Sequence, residues 1–180
     1  MLENTRDLLN LSYVQRWIIA PMDLPQSVAE HSFRVLVIVR GLHDVMTTKG
    51  IRAFDLYNAM VYAIQHDSEE VYTGDIPGTH KDIGKKWAEP EDMQSWEIAV
   101  KVADSLETWY WWQMHGNKQW IHPSRPASGR DNRDIRKIYH YCKDWPGLLE
   151  AVRAVVVFCM RVDEITLLAT FPGPGTGFRL

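Results

Sequence analysis

The chain has 180 residues, 46% of them hydrophobic and 24% charged, which suits one soluble domain. A chain of this length buries roughly 70% of its unfolded surface. The net charge of -3 comes without a basic stripe, which argues against a nucleic-acid polymer as partner. No apolar run reaches the ~18 residues of a membrane span, so no membrane partner is expected. The opening MLENTRDLLN has neither a basic leader nor a long apolar stretch, so no signal peptide is expected. Cys142 and Cys159 show no CxxC spacing, which fits free thiols in a cytoplasmic protein.

Helical periodicity dominates, and no alternating strand stands out. The spacing predicts a first helix over 3–17 and a second over 26–48. The second opens after Pro25, with Ser27 three residues before Glu30, a capping-box spacing, and stops before Gly50. A third helix is expected over 53–71, followed by a loop over 72–89. A fourth spans 90–115, then a loop over 116–131 rich in Gly, Pro, Ser and Asn. Helices over 132–143 and 147–168 follow. The predicted fold is all-α, a compact single domain over 1–170, with a Pro/Gly-rich tail over 171–180.

Three of these helices carry an ionisable group where a core residue belongs. Val28, His31, Val35, Ile38 and Leu42 follow helical steps, with His31 inside the apolar stripe. Leu56, Met60 and Ala63 lead to Asp67, with His66 beside it. Met93, Trp96, Val100 and Ala103 lead to Asp104. A buried unpaired carboxylate costs several kcal/mol. A shared divalent cation removes that cost, and neutral imidazoles with ionised carboxylates are natural ligands for it.

The competing reading is a set of hydrogen-bonded core histidines and solvated helix ends. His43-Asp44, twelve residues along from His31, serves as a control: no acid cluster follows it, and it reads as a solvated helix end. His66-Asp67 differs, because Glu70 follows at i+3 and i+4, and Thr73-Gly74-Asp75 closes the segment.

This arrangement resembles the HD-domain metal phosphohydrolases, whose pattern is a histidine, a distant His-Asp pair and a distant aspartate. Here those are His31, His66-Asp67 and Asp104. The resemblance is closer to the YfbR-like 5'-deoxynucleotidases. It rests on Arg16-Trp17, on Glu30-His31-Ser32 fourteen residues on, and on the run from His66 to Pro77, HDSEEVYTGDIP. Arg16-Trp17-Ile18-Ile19 and Ser27-Val28-Ala29-Glu30-His31-Ser32 are also similar to phage dATP triphosphohydrolases of the DatZ type. The match covers about residues 10–110; the C-terminal third carries no matching pattern.

The resemblance implies an HD-domain fold and one divalent metal (Zn, Co, Mn or Mg) on His31, His66, Asp67 and Asp104. It implies a deoxynucleotide substrate, with dATP converted to deoxyadenosine and triphosphate. The alternative is a broad 5'-deoxynucleotidase acting on monophosphates. Glu70, with Asp67, is the expected catalytic carboxylate, placed to orient or deprotonate the attacking water or to protonate the leaving oxygen. Arg16 suits a phosphate clamp because its planar fork matches phosphate oxygens; Lys81 is a second candidate. Trp17 and Ile19 are expected to wall the base and sugar, and Asp75 to take the 3'-hydroxyl or a second metal. Trp17 and Lys81 also have plain readings, as a core tryptophan and a solvated loop lysine.

The run WYWWQMHGNKQW over 109–120 reads as packing or as an interface. A helix apolar nearly all round is buried on more than one side. A homo-oligomer, a dimer or trimer of dimers, is therefore expected. The expected location is the cytoplasm, a host's if the gene is phage-borne. The rival classes are a non-catalytic helical nucleotide- or partner-binding module, and a hydrolase of signalling nucleotides. The retained ligand set with Glu70 argues against the first, and Arg16-Trp17 with the TGD run argues against the second.

Overall fold

A computed structural model describes residues 2–18, 22–75, 87–116, 133–158, 160–161 and 171. Helix α1 covers Leu2–Asn10 and passes into a 3-10 turn, Leu11–Tyr13. Strand β1 (Gln15–Arg16) pairs antiparallel with β2 (Gln26–Ser27), Gln15 opposite Ser27 and Arg16 opposite Gln26. Then come α2 (Val28–Thr48), α3 (Leu56–Gln65) and the single turn α4 (Glu70–Thr73). After a 3-10 turn at Pro90–Asp92 follow α5 (Ser95–His115), α6 (Arg133–Cys142) and α7 (Pro146–Phe158). The fold is all-α with one two-residue strand pair, as the periodicity predicts.

Helix α2 is the central pillar, packed against α3, α5 and α7. Val28, Val35, Val39, Leu42 and Met46 are fully buried along it. Their 3–4 residue spacing keeps them on one side of a 3.6-residue turn. It starts at Val28 rather than 26, because 26–27 pair in β2, but the predicted cap is present: the Ser27 hydroxyl accepts from the Glu30 amide at 3.1 Å. It ends at Gly50, whose φ of 67° suits a residue without a Cβ. Asp55 caps α3 in the same way, accepting from the Asn58 amide at 3.0 Å. At the head of α5 the Glu97 carboxylate reaches back to the Gln94 amide at 2.7 Å.

Four expectations need correction. The first helix stops at Asn10 rather than 17, because residues 15–16 find backbone partners in β2 that a helix would deny them. A pairing this short shows no alternation in sequence. The third helix stops at Gln65; residues 66–69 form turns before α4, so Glu70 is not on one continuous helix with His66. The fourth begins at Ser95, after Pro90 has nucleated a 3-10 turn. The last ends at Phe158, with Met160 and Arg161 outside helix and 162–170 outside the described residues. The tail over 172–180 also lies outside them.

The described tryptophans of the 109–120 run pack within the chain, and 117–120 lie outside the described residues. Trp109, Trp111 and Trp112 are all buried, with Trp109 on Phe171 (5.7 Å between ring centroids) and Trp112 near Trp17 (6.0 Å). The Arg34 guanidinium lies 4.8 Å from the Trp111 ring centroid. Intrachain partners thus cover Trp109, Trp111 and Trp112, while Met114 on the same helix stays exposed.

Candidate metal centre

Three stretches of chain deliver the predicted ligands to one point. His31 comes from the first turn of α2, His66 and Asp67 from the turn after α3, and Asp104 from the middle of α5. Because α2 lies against both α3 and α5, a polar residue on each facing stripe must meet the others. His31 Nε2 lies 3.1 Å from Asp104 Oδ1 and 3.7 Å from Asp67 Oδ2, and His66 Nε2 lies 3.3 Å from Asp67 Oδ2. Ligand atoms of His31, His66 and Asp67 all fall within 4.8 Å of one another.

Both imidazoles are held by their other nitrogen. His66 Nδ1–H donates to the Ala63 carbonyl at 2.9 Å. His31 Nδ1 sits 2.7 Å from Glu107 Oε2. The Nε2 atoms of both rings are buried and make no hydrogen bond, while each faces a carboxylate. Two buried nitrogen atoms without a hydrogen bond beside two carboxylates fit a divalent cation, as does the N/O chemistry of the set.

The electrostatics agree. Burial and the nearby Arg16 push His31 down, yet Glu107 and Asp104 outweigh them and raise it to about 9. Without metal the site thus favours a positive charge at His31. Burial dominates at His66 and lowers it, which keeps that ring neutral and ligand-ready at neutral pH. Burial opposes ionisation of Asp104, but the His31 contact, His66 and Lys137 hold it well below the usual carboxylate range. Asp67 is lowered despite burial, chiefly by His66 and His31.

Glu70 opens α4 and is 2% exposed. Its amide donates to the Asp67 carbonyl at 3.0 Å, so a backbone turn ties it to the metal pair. Gly74, with φ 69°, closes that turn and redirects the chain to Asp75. Asp75 Oδ2 accepts the Trp17 amide at 3.0 Å, which brings β1 to the same end of the domain. Trp17 itself has φ 65°, rare for a bulky residue, and this backbone is held by the Asp75 contact. Arg16 lies 3.5 Å from Glu107 Oε2, 3.4 Å from Gln26 Oε1, and 5.6 Å from the Trp17 ring centroid. Arg16 and Asp75 are therefore both neighbours of Trp17. Ile19 and Lys81 lie outside the described residues.

Sequence reasoning missed Gln26 and Glu107. Glu107 is completely buried and touches Arg16, Gln26, His31 and Arg34; Gln26 joins it to the Trp17 indole N–H at 3.0 Å. The available signal was Glu107 three residues after Asp104, on the same face of an apolar helix.

The family model described as 5'-deoxynucleotidase YfbR-like matches residues 5–114. The dATP triphosphohydrolase of Salmonella phage PMBT28 is 35% identical over 130 residues, covering 62% of this chain and 67% of that protein. The dATP triphosphohydrolase of Cyanophage S-2L is 35% identical over 77 residues, covering 43% of this chain and 42% of that protein. A solved structure of the Cyanophage S-2L HD phosphohydrolase DatZ, bound to dA and one catalytic Zn2+ ion, is similar in fold. Its TM-score is 0.51 at 20% identity, over 93% of this chain and 91% of that one.

Proposed function

The chain belongs to the family of YfbR-like 5'-deoxynucleotidases, and on that premise we propose that it is a metal-dependent phosphohydrolase of deoxyadenosine nucleotides. The reaction is cleavage of dATP to deoxyadenosine and triphosphate, which depletes the dATP pool. The observation that carries the metal-dependent part is the convergence of His31 Nε2, His66 Nε2, Asp67 and Asp104, with the buried Glu70 three residues after Asp67. The two phage relatives named as dATP triphosphohydrolases support the choice of substrate.

His31, His66, Asp67 and Asp104 would hold the cation, Zn, Co, Mn or Mg. When bound, it supplies Lewis acidity toward a phosphoryl oxygen and lowers the pKa of a water. Glu70, one turn past Asp67, would orient an attacking water and take its proton, or return a proton to the leaving oxygen. Arg16, steadied by Glu107 and Gln26 through one guanidinium nitrogen, is the residue assigned to a phosphate oxygen. The Trp17 ring supplies an apolar wall for base or sugar. Asp75, tethered through Oδ2 to the Trp17 amide, accepts the 3'-hydroxyl. Ile19 and Lys81 retain their roles in this scheme as base wall and second phosphate contact.

Incubation with each dNTP, dNMP and ribonucleotide, with Co, Mn, Zn or Mg ions, tests the reading. Triphosphate and deoxyadenosine as products support it. Orthophosphate released only from monophosphates, whatever the base, moves the assignment to a 5'-deoxynucleotidase, the activity in the family's description. No turnover with any metal defeats both. The enzyme is expected in the cytoplasm, a host's if phage-encoded; among the described residues, no helix is long and apolar enough to cross a membrane. A homo-oligomer, dimer or trimer of dimers, remains the expected state. Its support now is the exposed pair Phe33 and Val37 on the outer side of α2 rather than the tryptophans. Light scattering at micromolar concentration that finds only monomer overturns it.

A further inference from the structure

Glu107 sits in the middle of α5 with no exposed side-chain surface, among Ala103, Leu106 and Trp111, where a leucine would be the ordinary choice. Its carboxylate meets four groups. Oε1 accepts from Gln26 Nε2 at 2.8 Å and from Arg34 Nε at 2.8 Å. Oε2 lies 2.7 Å from His31 Nδ1 and 3.5 Å from an Arg16 guanidinium nitrogen. The amide and guanidinium groups can only donate here, so Glu107 must accept. Three donor groups besides His31, on Gln26, Arg34 and Arg16, converge on it, two of them guanidinium cations, which is the setting of an ionised carboxylate. An ionised carboxylate has no proton to offer. Two acceptors cannot stand 2.7 Å apart, so the His31 ring must carry a proton on Nδ1.

We infer that Glu107 is a positioning residue for the metal site: it fixes His31 as the Nδ1–H form, which leaves Nε2 to bind the cation. This rests on the reading of His31 as a metal ligand. The same carboxylate steadies Arg16, so the metal-binding ring and the phosphate-binding fork share one anchor. A carboxylate behind a ligating imidazole orients the ring and raises its basicity. Glutamine cannot replace it, because one carbonyl oxygen would face four donors while its own amide hydrogens pointed at donors.

The test uses the zinc-loaded, nitrogen-15-labelled protein. Long-range proton–nitrogen spectra of the His31 ring are expected to show zinc at Nε2 and a slowly exchanging proton at Nδ1. Zinc at Nδ1, or an Nδ1 proton exchanging as fast as that of an exposed histidine, overturns the inference. This measurement needs no variant. In parallel, Glu107→Gln is expected to lose roughly 10- to 100-fold in zinc affinity, read by competition with a chromogenic chelator. Unchanged affinity in a Glu107→Gln protein with native circular dichroism overturns it. His31→Ala separates the two levels of the argument. If His31→Ala loses zinc while folded Glu107→Gln keeps full affinity, the role of Glu107 alone fails. If His31→Ala binds zinc as well as the parent, the metal reading of His31 fails and takes this inference with it.

Discussion

Helix α2 carries two histidines, His31 near one end and His43 near the other, and each has an aspartate in reach. Their surroundings differ. His31 has no exposed side-chain surface and faces Asp67, Asp104 and Glu107 from three sides. His43 is 23% exposed, rests on the edge of Phe54, and lies 3.8 Å from Asp44. Asp44 is 52% exposed and is taken up by Arg40 one turn earlier, with two 2.8 Å contacts. His43 is thus more sheltered than a solvated helix end, though its aspartate is as solvated as expected. Adjacency of histidine and aspartate is common to both ends. Convergence of several elements on the pair is what sets one apart, because only there does burial deny the charges to water and oblige them to serve one another.

The sharpest way to break this contrast is to remove one aspartate from each end. Asp67→Ala should abolish stoichiometric metal binding, measured by elemental analysis after dialysis, and abolish turnover. Asp44→Ala should leave metal content, turnover and Tm at parent values. Equal effects at both ends would remove the distinction. Next in size is Glu70→Ala, which should retain metal yet slow turnover by ~100-fold or more. Normal turnover in that variant refutes the role given to Glu70.

A pH titration sharpens the contrast further. In the metal-free protein His31 is raised from 6.5 to about 9, against burial and Arg16, by Glu107 and Asp104. The folded value lies above the unfolded one. The stabilisation is therefore complete below pH about 6.5 and is lost as pH rises through about 9. Thermal melts of metal-stripped protein should show a falling Tm across that window, and His31→Asn should flatten the slope. The smallest effect expected concerns depth alone. Burial pushes the Cys142 thiol up, so peptide mapping after brief alkylation of native protein should find Cys142 unmodified. Prompt labelling of Cys142 would contradict its burial.

The parts of the site legible in sequence were those that violate a pattern. His31, Asp67 and Asp104 stand where the helical period calls for apolar residues, and a violation of that kind shows from one sequence. Glu107 violates the same pattern, but the tryptophans beside it dominate that stretch of sequence. Gln26 could not be found this way, because a strand of two residues has no period to break. The left-handed backbone of Trp17 was equally hidden. Nothing local favours it, and its hold is Asp75, 58 residues away. Of the helix boundaries that failed, Asn10 lies just before backbone that β2 takes up, whereas past Gln65 the amides turn onto local carbonyls, Ser68 onto Gln65 and Glu70 onto Asp67.

The long reach of these contacts bears on how the protein comes to be made. Trp17 waits for Asp75, and His31 and Gln26 wait for Glu107, 76 and 81 residues downstream. Contacts of such separation close late, after the loops between them have given up their entropy. A nascent chain that has emerged only as far as α4 holds His31, Arg16 and Arg34 without the carboxylate that answers all three. The pocket is therefore set by the arrival of α5, and a ribosome stalled before residue 107 should display the first helices but no site.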